Sequence, residues 1–408
     1  MLAGALFALA PAIARLLLDD QLTPLIRIAS VVVFAYALYA ATVGSLNGRH
    51  LFGKQARLDI TFSTLRTTGI LVGAAAGVGA FGAVVGFATA ATAVVTVALV
   101  WVGTGRRSDG ARIRRRRWLG FMAPIWTYQL CLNGILMIDL QVLKRTTTQP
   151  ALRGAGVGPA AVDRANQYVA IYRAAQTFAF VPYQLIISMT FVVFPMISKA
   201  TSVGDHTAAK NTIQHGMRLS LLLLLLVAAP TSGAAEGVMR IAYPAEYAIG
   251  ADALGVLVFG VCAFALFAVA ATAISGAGKP SLAAAAAAVA LGTVVVANRL
   301  LVMRAGLGES TLRAAAIGTS IGMGVALTLA GVIVYRLFGV FIPWLTWLRA
   351  GAAAAAGFAA AHAVPHTSIV GAVFALGAGF LVALGVLIVT RELDRHDWEA
   401  LRRIAVRD

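Results

Sequence analysis

Asp139 and Arg173 are charged side chains set where charge is expensive. Asp139 closes the apolar run NGILMIDLQVLK, with Gln129 and Asn133 earlier on the same run. Arg173 lies in ANQYVAIYRAAQTFAF, preceded by Gln167, Tyr168 and Tyr172 and followed by Gln176. Arg15 falls late in one apolar run, and Asn298 and Arg299 fall inside another. An ionised group in hydrocarbon has to face a cavity, find a partner or reach a head group. Arg15 and Arg299 can also reach head groups along the membrane by snorkelling. Arginine forks suit phosphate or carboxylate, so these residues point to recognition of an anion inside a membrane. Bond-making chemistry has no support. The chain lacks a Walker loop, GxSxG, HExxH or paired carboxylates on a helix face. Its six histidines do not group at metal-ligand spacing, and its two cysteines sit alone in apolar runs. The expectation is a protein that is not an enzyme and holds no metal or cofactor.

These residues are carried by a strongly apolar chain. Hydrophobic residues make up 60% and charged residues 12%, and mean hydropathy is +0.85. A soluble domain is about half apolar and a quarter charged. One crossing takes about 20 apolar helical residues, and the pattern predicts an all-α polytopic membrane protein with about twelve crossings. They are Ala3–Leu18, Ile26–Val43, Thr64–Ala80, Gly82–Val102, Trp118–Leu140, Gln167–Ile197, Met217–Thr231, Ala251–Ile274, Leu282–Met303, Ala314–Leu337, Phe341–Val364 and Ser368–Thr390. Thr146–Asp163, rich in Gly and Pro, reads as an outside loop. Pro182 and Pro195 interrupt the sixth crossing. The predicted organisation is a four-helix N-terminal lobe with a basic linker (1–117), a six-helix lobe (118–338), two further helices (339–390) and an amphipathic tail (391–408).

The net charge of +17 has a cause in topology. Lysines and arginines concentrate in alternate loops: Arg49, Lys54 and Arg57; Arg106, Arg107 and Arg112–Arg117; Lys199, Lys210 and Arg218; Lys279 and Arg336; and the tail. The positive-inside rule then places both termini in the cytoplasm. Arg112–Arg117 reads as an anchor for anionic lipids. No nucleic-acid partner is needed to explain the charge.

The second half shows an ordered series of segments. ILMIDLQVL is followed by ANQYVAIYRAAQTFAFVPYQLIISMTFVVFPMISKA (165–200), RIAYPAEYAIGADAL (240–254) and SGAGKPSL (275–282). This order resembles the polysaccharide-exporter branch, the O-antigen and capsule repeat-unit flippases, of the multidrug/oligosaccharidyl-lipid/polysaccharide flippase superfamily. The resemblance covers 120–300 best and is looser over 1–103, where LNGRHLFGKQARLDI is similar to the family's cytoplasmic turn after its fourth helix. The family has two six-helix lobes, often followed by two extra helices. Only four helices precede the fifth crossing here, so the chain is expected to begin at the family's third helix.

The resemblance implies a V-shaped, two-lobe bundle in the bacterial cytoplasmic membrane. It implies a transporter that carries a polyprenyl-pyrophosphate-linked oligosaccharide to the outer leaflet by alternating access, for polysaccharide or lipopolysaccharide biosynthesis. Glycan polymerases or glycosyltransferases are the implied partners. On this reading Arg173, with Arg15 and Arg299, contacts the pyrophosphate. Tyr168, Tyr172, Gln176 and Asn133 contact sugar, and Asp139 pairs with an arginine or senses a coupling cation. Two other readings stand beside it: a MATE-like cation-coupled drug or metabolite antiporter, and a non-transporting membrane scaffold of a glycan-assembly complex.

Overall fold

Apolar chains satisfy their backbone in lipid by forming helices or closed barrels. In the computed structural model this chain is helical, with no strand among the described residues. The structure describes residues 2–16, 21–49, 51–103, 115–153, 159–187, 197, 205–305, 309–365 and 367–392. The chain divides into two compact units, Met1–Arg112 and Ile113–Asp408. Seven of the described helical segments are long and apolar enough to cross a membrane: Leu22–Leu46, Gly79–Val102, His206–Gly233, Ala245–Gly276, Pro280–Ala305, Glu309–Phe338 and Ile369–Val389.

The first unit holds α1 (Leu2–Leu16), α2 (Leu22–Gly48), α3 (Phe52–Gly73) and α4 (Gly79–Val102). A π-helical turn, Ala74–Val78, joins α3 to α4 and ends at Gly79 with φ +56°. Glycine takes that backbone angle at little cost. The two helices then return along each other with almost no side chain between them. A methyl group on Gly69 would meet the Gly86 carbonyl oxygen at 2.5 Å, and one on Gly86 would collide with the Gly69 carbonyl. Small residues let membrane helices approach to backbone contact. The unit's core is Val32, Ala35, Tyr39, Leu58, Phe62, Ala91 and Val94, and the Tyr39 hydroxyl donates to Asp59 Oδ1 at 2.6 Å. The predicted third crossing, Thr64–Ala80, starts later than α3. Lys54, Arg57 and Asp59 dilute hydropathy there without interrupting the helix.

The second unit is built around α9 (Ala251–Gly276), whose residues are buried on nearly all sides. A helix that is apolar all round belongs at the centre of a bundle. Against it pack α6 (Pro159–Ala179), α7 (His206–Gly233) and α11 (Glu309–Phe338), and α10 (Pro280–Ala305) bridges α11 to α5 (Arg115–Arg153). Between α7 and α9 lies a short helix, α8 (Ala235–Ala242), which the sequence pattern did not indicate. Helix α7 is capped by Asp205, whose side chain accepts from the Ala208 amide at 2.9 Å. Caps of this kind satisfy one of the open amides of a first turn.

Helices α12 (Trp344–Ala363) and α13 (Ile369–Val389) pack on each other and on α7. Their attachment is polar at one end. Glu392, just past α13, is 4% exposed. Its carboxylate accepts from Arg218 Nε at 3.1 Å, the Thr346 hydroxyl at 2.7 Å and Arg349 Nη1 at 2.9 Å. Arg218 also donates to the Glu392 main-chain carbonyl. Burial pushes the Glu392 carboxyl up, but the Thr346, Arg349 and Arg218 donors outweigh it and leave it below its ordinary value.

One expectation changes. Thr146–Asp163 is not a continuous loop: α5 runs on to Arg153 and α6 begins at Pro159. The sixth crossing is interrupted beside Pro182, as expected. Helix α6 ends at Ala179, Phe180 forms a turn, and helix resumes over 181–187. Pro182 explains the break, because it has no N–H to donate to the Phe178 carbonyl. Pro195, Lys199, Arg106, Arg107, Arg112 and Arg114 lie outside the described residues, as do the tail residues 393–408 and the side chains of Arg115–Arg117.

Replacing Gly86 with Val should force α3 and α4 apart and destabilise the first unit by about 1–3 kcal/mol. Thermal unfolding in detergent should show a lower midpoint, with Gly44→Val, which meets open space, as the control. Glu392→Gln should cost about 1–3 kcal/mol at pH 7. A lowered carboxyl contributes stability above its unfolded value and loses it as pH falls through the folded one. The gap between wild type and Glu392→Gln in pH-dependent melts should therefore close in the acid range.

Candidate functional site

Helices α5, α6, α10 and α11 meet at one carboxylate. Asp139 on α5 is 0% exposed. Its Oδ2 accepts from the Tyr172 hydroxyl at 2.9 Å, Gln176 Nε2 at 2.8 Å and the Thr319 hydroxyl at 3.1 Å. Its Oδ1 accepts from the Leu140 amide at 2.8 Å. Tyr172 and Gln176 lie four apart on α6, so helical spacing puts both on the face turned to α5. Thr319 comes from α11, and Asn298 on α10 donates to its oxygen at 3.1 Å and to the Val294 carbonyl at 3.0 Å.

The α10–α11 contact is again set by small residues. A methyl group on Gly318 would sit 2.8 Å from the Asn298 amide nitrogen, and one on Gly322 would collide with Val294. This close approach is what carries Thr319 and Asn298 together. Asn298 Oδ1 is buried and has no hydrogen-bond partner among the described residues.

Arg173 enters the network one step out. Its Nη1 donates to Gln176 Oε1 at 3.0 Å, while its side chain is exposed on α6. A path of hydrogen bonds thus runs from an exposed guanidinium through Gln176 to a buried carboxylate. No basic side chain is among the hydrogen-bond partners found for Asp139, and the link to an arginine runs through the Gln176 amide. Tyr172 and Gln176, expected to contact sugar, are turned to the carboxylate in this structure. Tyr172 is 0% and Gln176 1% exposed, because a carboxylate in this interior draws its donors inward.

The remaining predicted residues are not among the hydrogen-bond partners found for this centre. Tyr168 is half-buried against the α9 core. Asn133 is exposed on α5 and donates to the Gln129 carbonyl at 2.8 Å. Arg299 is exposed on α10 next to the buried Asn298, and Arg15 is exposed in the last turn of α1, in the first unit. Among the described residues, no group of histidine, cysteine or carboxylate side chains is arranged to hold a metal ion. Thr319 is the member that sequence reasoning missed. A lone threonine in an apolar helix ordinarily bonds its own preceding turn, and the usable signal was the Gly318/Gly322 spacing beside it.

Residues 1–132 match the family described as "Polysaccharide biosynthesis protein". The fold is that of a multi-pass membrane protein and has a solved counterpart. A solved structure of "Lipid II flippase MurJ, inward closed conformation" superposes with a TM-score of 0.74 at 14% identity, covering 97% of this chain and 81% of that one. No curated protein matches. The family match covers about the first third of the chain, and the structural likeness concerns the fold. The family match falls mainly on the N-terminal part, where the resemblance read from the sequence was looser, and reaches only residues 120–132 of the 120–300 stretch.

Removing the carboxylate strands three side-chain donors at once, whereas removing one donor leaves the rest paired. Tyr172→Phe should cost about 1–2 kcal/mol and Asp139→Ala distinctly more. Equal melting points for the two variants in detergent would contradict this arrangement.

Proposed function

We propose that this chain is a transporter that carries a polyprenyl-pyrophosphate-linked oligosaccharide from the cytoplasmic to the outer leaflet by alternating access. The proposal sets it in the bacterial cytoplasmic membrane, in polysaccharide biosynthesis, with no bond made or broken by the protein. The observation that carries the reading is the exposed Arg173 guanidinium on α6, linked through Gln176 to the buried Asp139. A pyrophosphate entering a low-dielectric site needs a cationic donor. Arg173 fills that role, with Arg15 and Arg299 as further contacts and Tyr168 and Asn133 nearer the sugar. The match to a polysaccharide-biosynthesis family and the flippase fold support the substrate class.

Asp139 is the coupling group in this proposal. Coupling needs an ionisable group inside the membrane whose charge can change. The Asp139 carboxylate and the unpaired Asn298 Oδ1 are acceptors for a proton or a monovalent cation. A change there is felt at Gln176 and so at Arg173. The boundaries 1–117, 118–338, 339–390 and 391–408 serve in the proposal as a first lobe, a second lobe, an accessory helix pair and an interfacial tail. Arg112–Arg117 is assigned to anionic lipids, and a glycan polymerase or glycosyltransferase is the expected neighbour.

The test is flipping of a fluorescent polyprenyl-pyrophosphate oligosaccharide in reconstituted vesicles. Arg173→Ala should lower the rate by more than about tenfold and Arg173→Lys by less, because a lysine keeps the charge but not the fork. Asp139→Asn should remove the dependence on an imposed ion gradient. Unchanged flipping by Arg173→Ala sinks its assigned role. Gradient-driven export of organic cations in place of the glycolipid would establish the antiporter reading instead.

A further inference from the structure

The second unit contains a cavity of about 620 Å³ that the Asp139 network does not touch. Its walls are the end of α7, the starts of α8, α9 and α11, and the last turns of α12. All of these ends lie on the face that the charge bias assigns to the outside. Its chemistry comes from six side chains: Glu236, Asp252, Glu309, Arg313, Phe358 and His362.

Each carboxylate sits in the first turn of its helix, where it offsets the positive helix end. That accounts for their presence but not for the space they surround. Asp252 pairs with Arg313 at 3.6 Å and Glu236 with Arg240 at 2.6 Å, all with substantial exposure. On the opposite wall the Phe358 and His362 rings stack with centroids 5.8 Å apart and planes 6° from parallel. Phe358 is 39% exposed.

Several ligand classes fail on these features. The carboxylates and His362 form no cluster able to hold a metal ion among the described residues. Three carboxylates against one guanidinium and one imidazole disfavour a phosphate or pyrophosphate. The charged rim disfavours an acyl chain. A polyhydroxylated ligand fits: separated carboxylates accept from hydroxyls, Arg313 donates to ring and acetal oxygens, and the aromatic pair offers an apolar face. The volume lies within the range of about 300–1,000 Å³ usual for small-molecule sites.

We infer that this outer-face cavity is a saccharide-binding site that takes a short stretch of the glycan, separate from the place where the pyrophosphate is held. The inference rests on the proposed transport of a lipid-linked oligosaccharide and divides that substrate by charge. The anionic end belongs with Arg173, and the neutral sugars belong with the acidic outer cavity.

The experiment is saturation-transfer NMR on the full chain in lipid nanodiscs, with maltotriose and N,N′-diacetylchitobiose as soluble probes. The expected result is binding of at least one probe. Phe358→Ala and the cavity-filling Ala248→Trp should each weaken it by about tenfold, equivalent to about 1.4 kcal/mol. Gly44→Val, which meets open space, should leave it unchanged. Absence of binding of both probes to the wild type, or undiminished binding in both cavity variants, overturns the inference. The flipping assay separates the two proposals. Saccharide binding without glycolipid flipping upholds this site and sinks the transport reading, and flipping without saccharide binding does the reverse.

Discussion

A carboxylate inside hydrocarbon must be surrounded by donors, and Asp139 recruits them from its own helix and from α6 and α11. That requirement fixes much else in the second unit. It sets the rotation of α6, since Tyr172 and Gln176 must both face α5. It calls for the close α10–α11 seam at Gly318 and Gly322, which brings Asn298 onto Thr319. It leaves Arg173 displaced to the helix surface, able to meet something from outside the protein. One desolvated charge thus orients several helices through hydrogen bonds that lipid cannot replace.

The same logic recurs at Glu392 with a different outcome. Here the buried acid has arginines as direct partners, Arg218 and Arg349, with Thr346 beside them. Full pairing makes this a fastening: it ties the end of α13 to the start of α12 and the middle of α7. Among the described residues the hydrogen-bond partners of Asp139 are neutral donors, and Arg173 reaches it through the Gln176 amide. The contrast is between an acid neutralised by direct ion pairs and an acid held by neutral groups.

Much of this was legible in the sequence. The long apolar runs gave helices whose cores match, most closely for α9, where Ala251–Ile274 was expected and Ala251–Gly276 is found. Helix ends were less legible, because hydropathy reports where lipid begins and helices such as α3, α5 and α7 continue past that point. Asp139, Tyr172, Arg173 and Gln176 were visible as polar exceptions on apolar backgrounds. Their mutual arrangement was not. Sequence spacing puts Tyr172 and Gln176 on one face, but nothing local says that this face meets Asp139 rather than a cavity. Thr319 had no chemical signature of its own, and Glu392 read as part of a polar tail because its arginine partners lie 43 and 174 residues away.

The break at Phe180 lies one turn beyond Gln176. Main-chain hydrogen bonds from Phe180 to the Gln176 carbonyl at 3.0 Å and from Gln184 to the Phe180 carbonyl at 3.2 Å span this joint, and Pro182 contributes none. The helical ladder is thus thinned one turn past the residue that holds both Asp139 and Arg173.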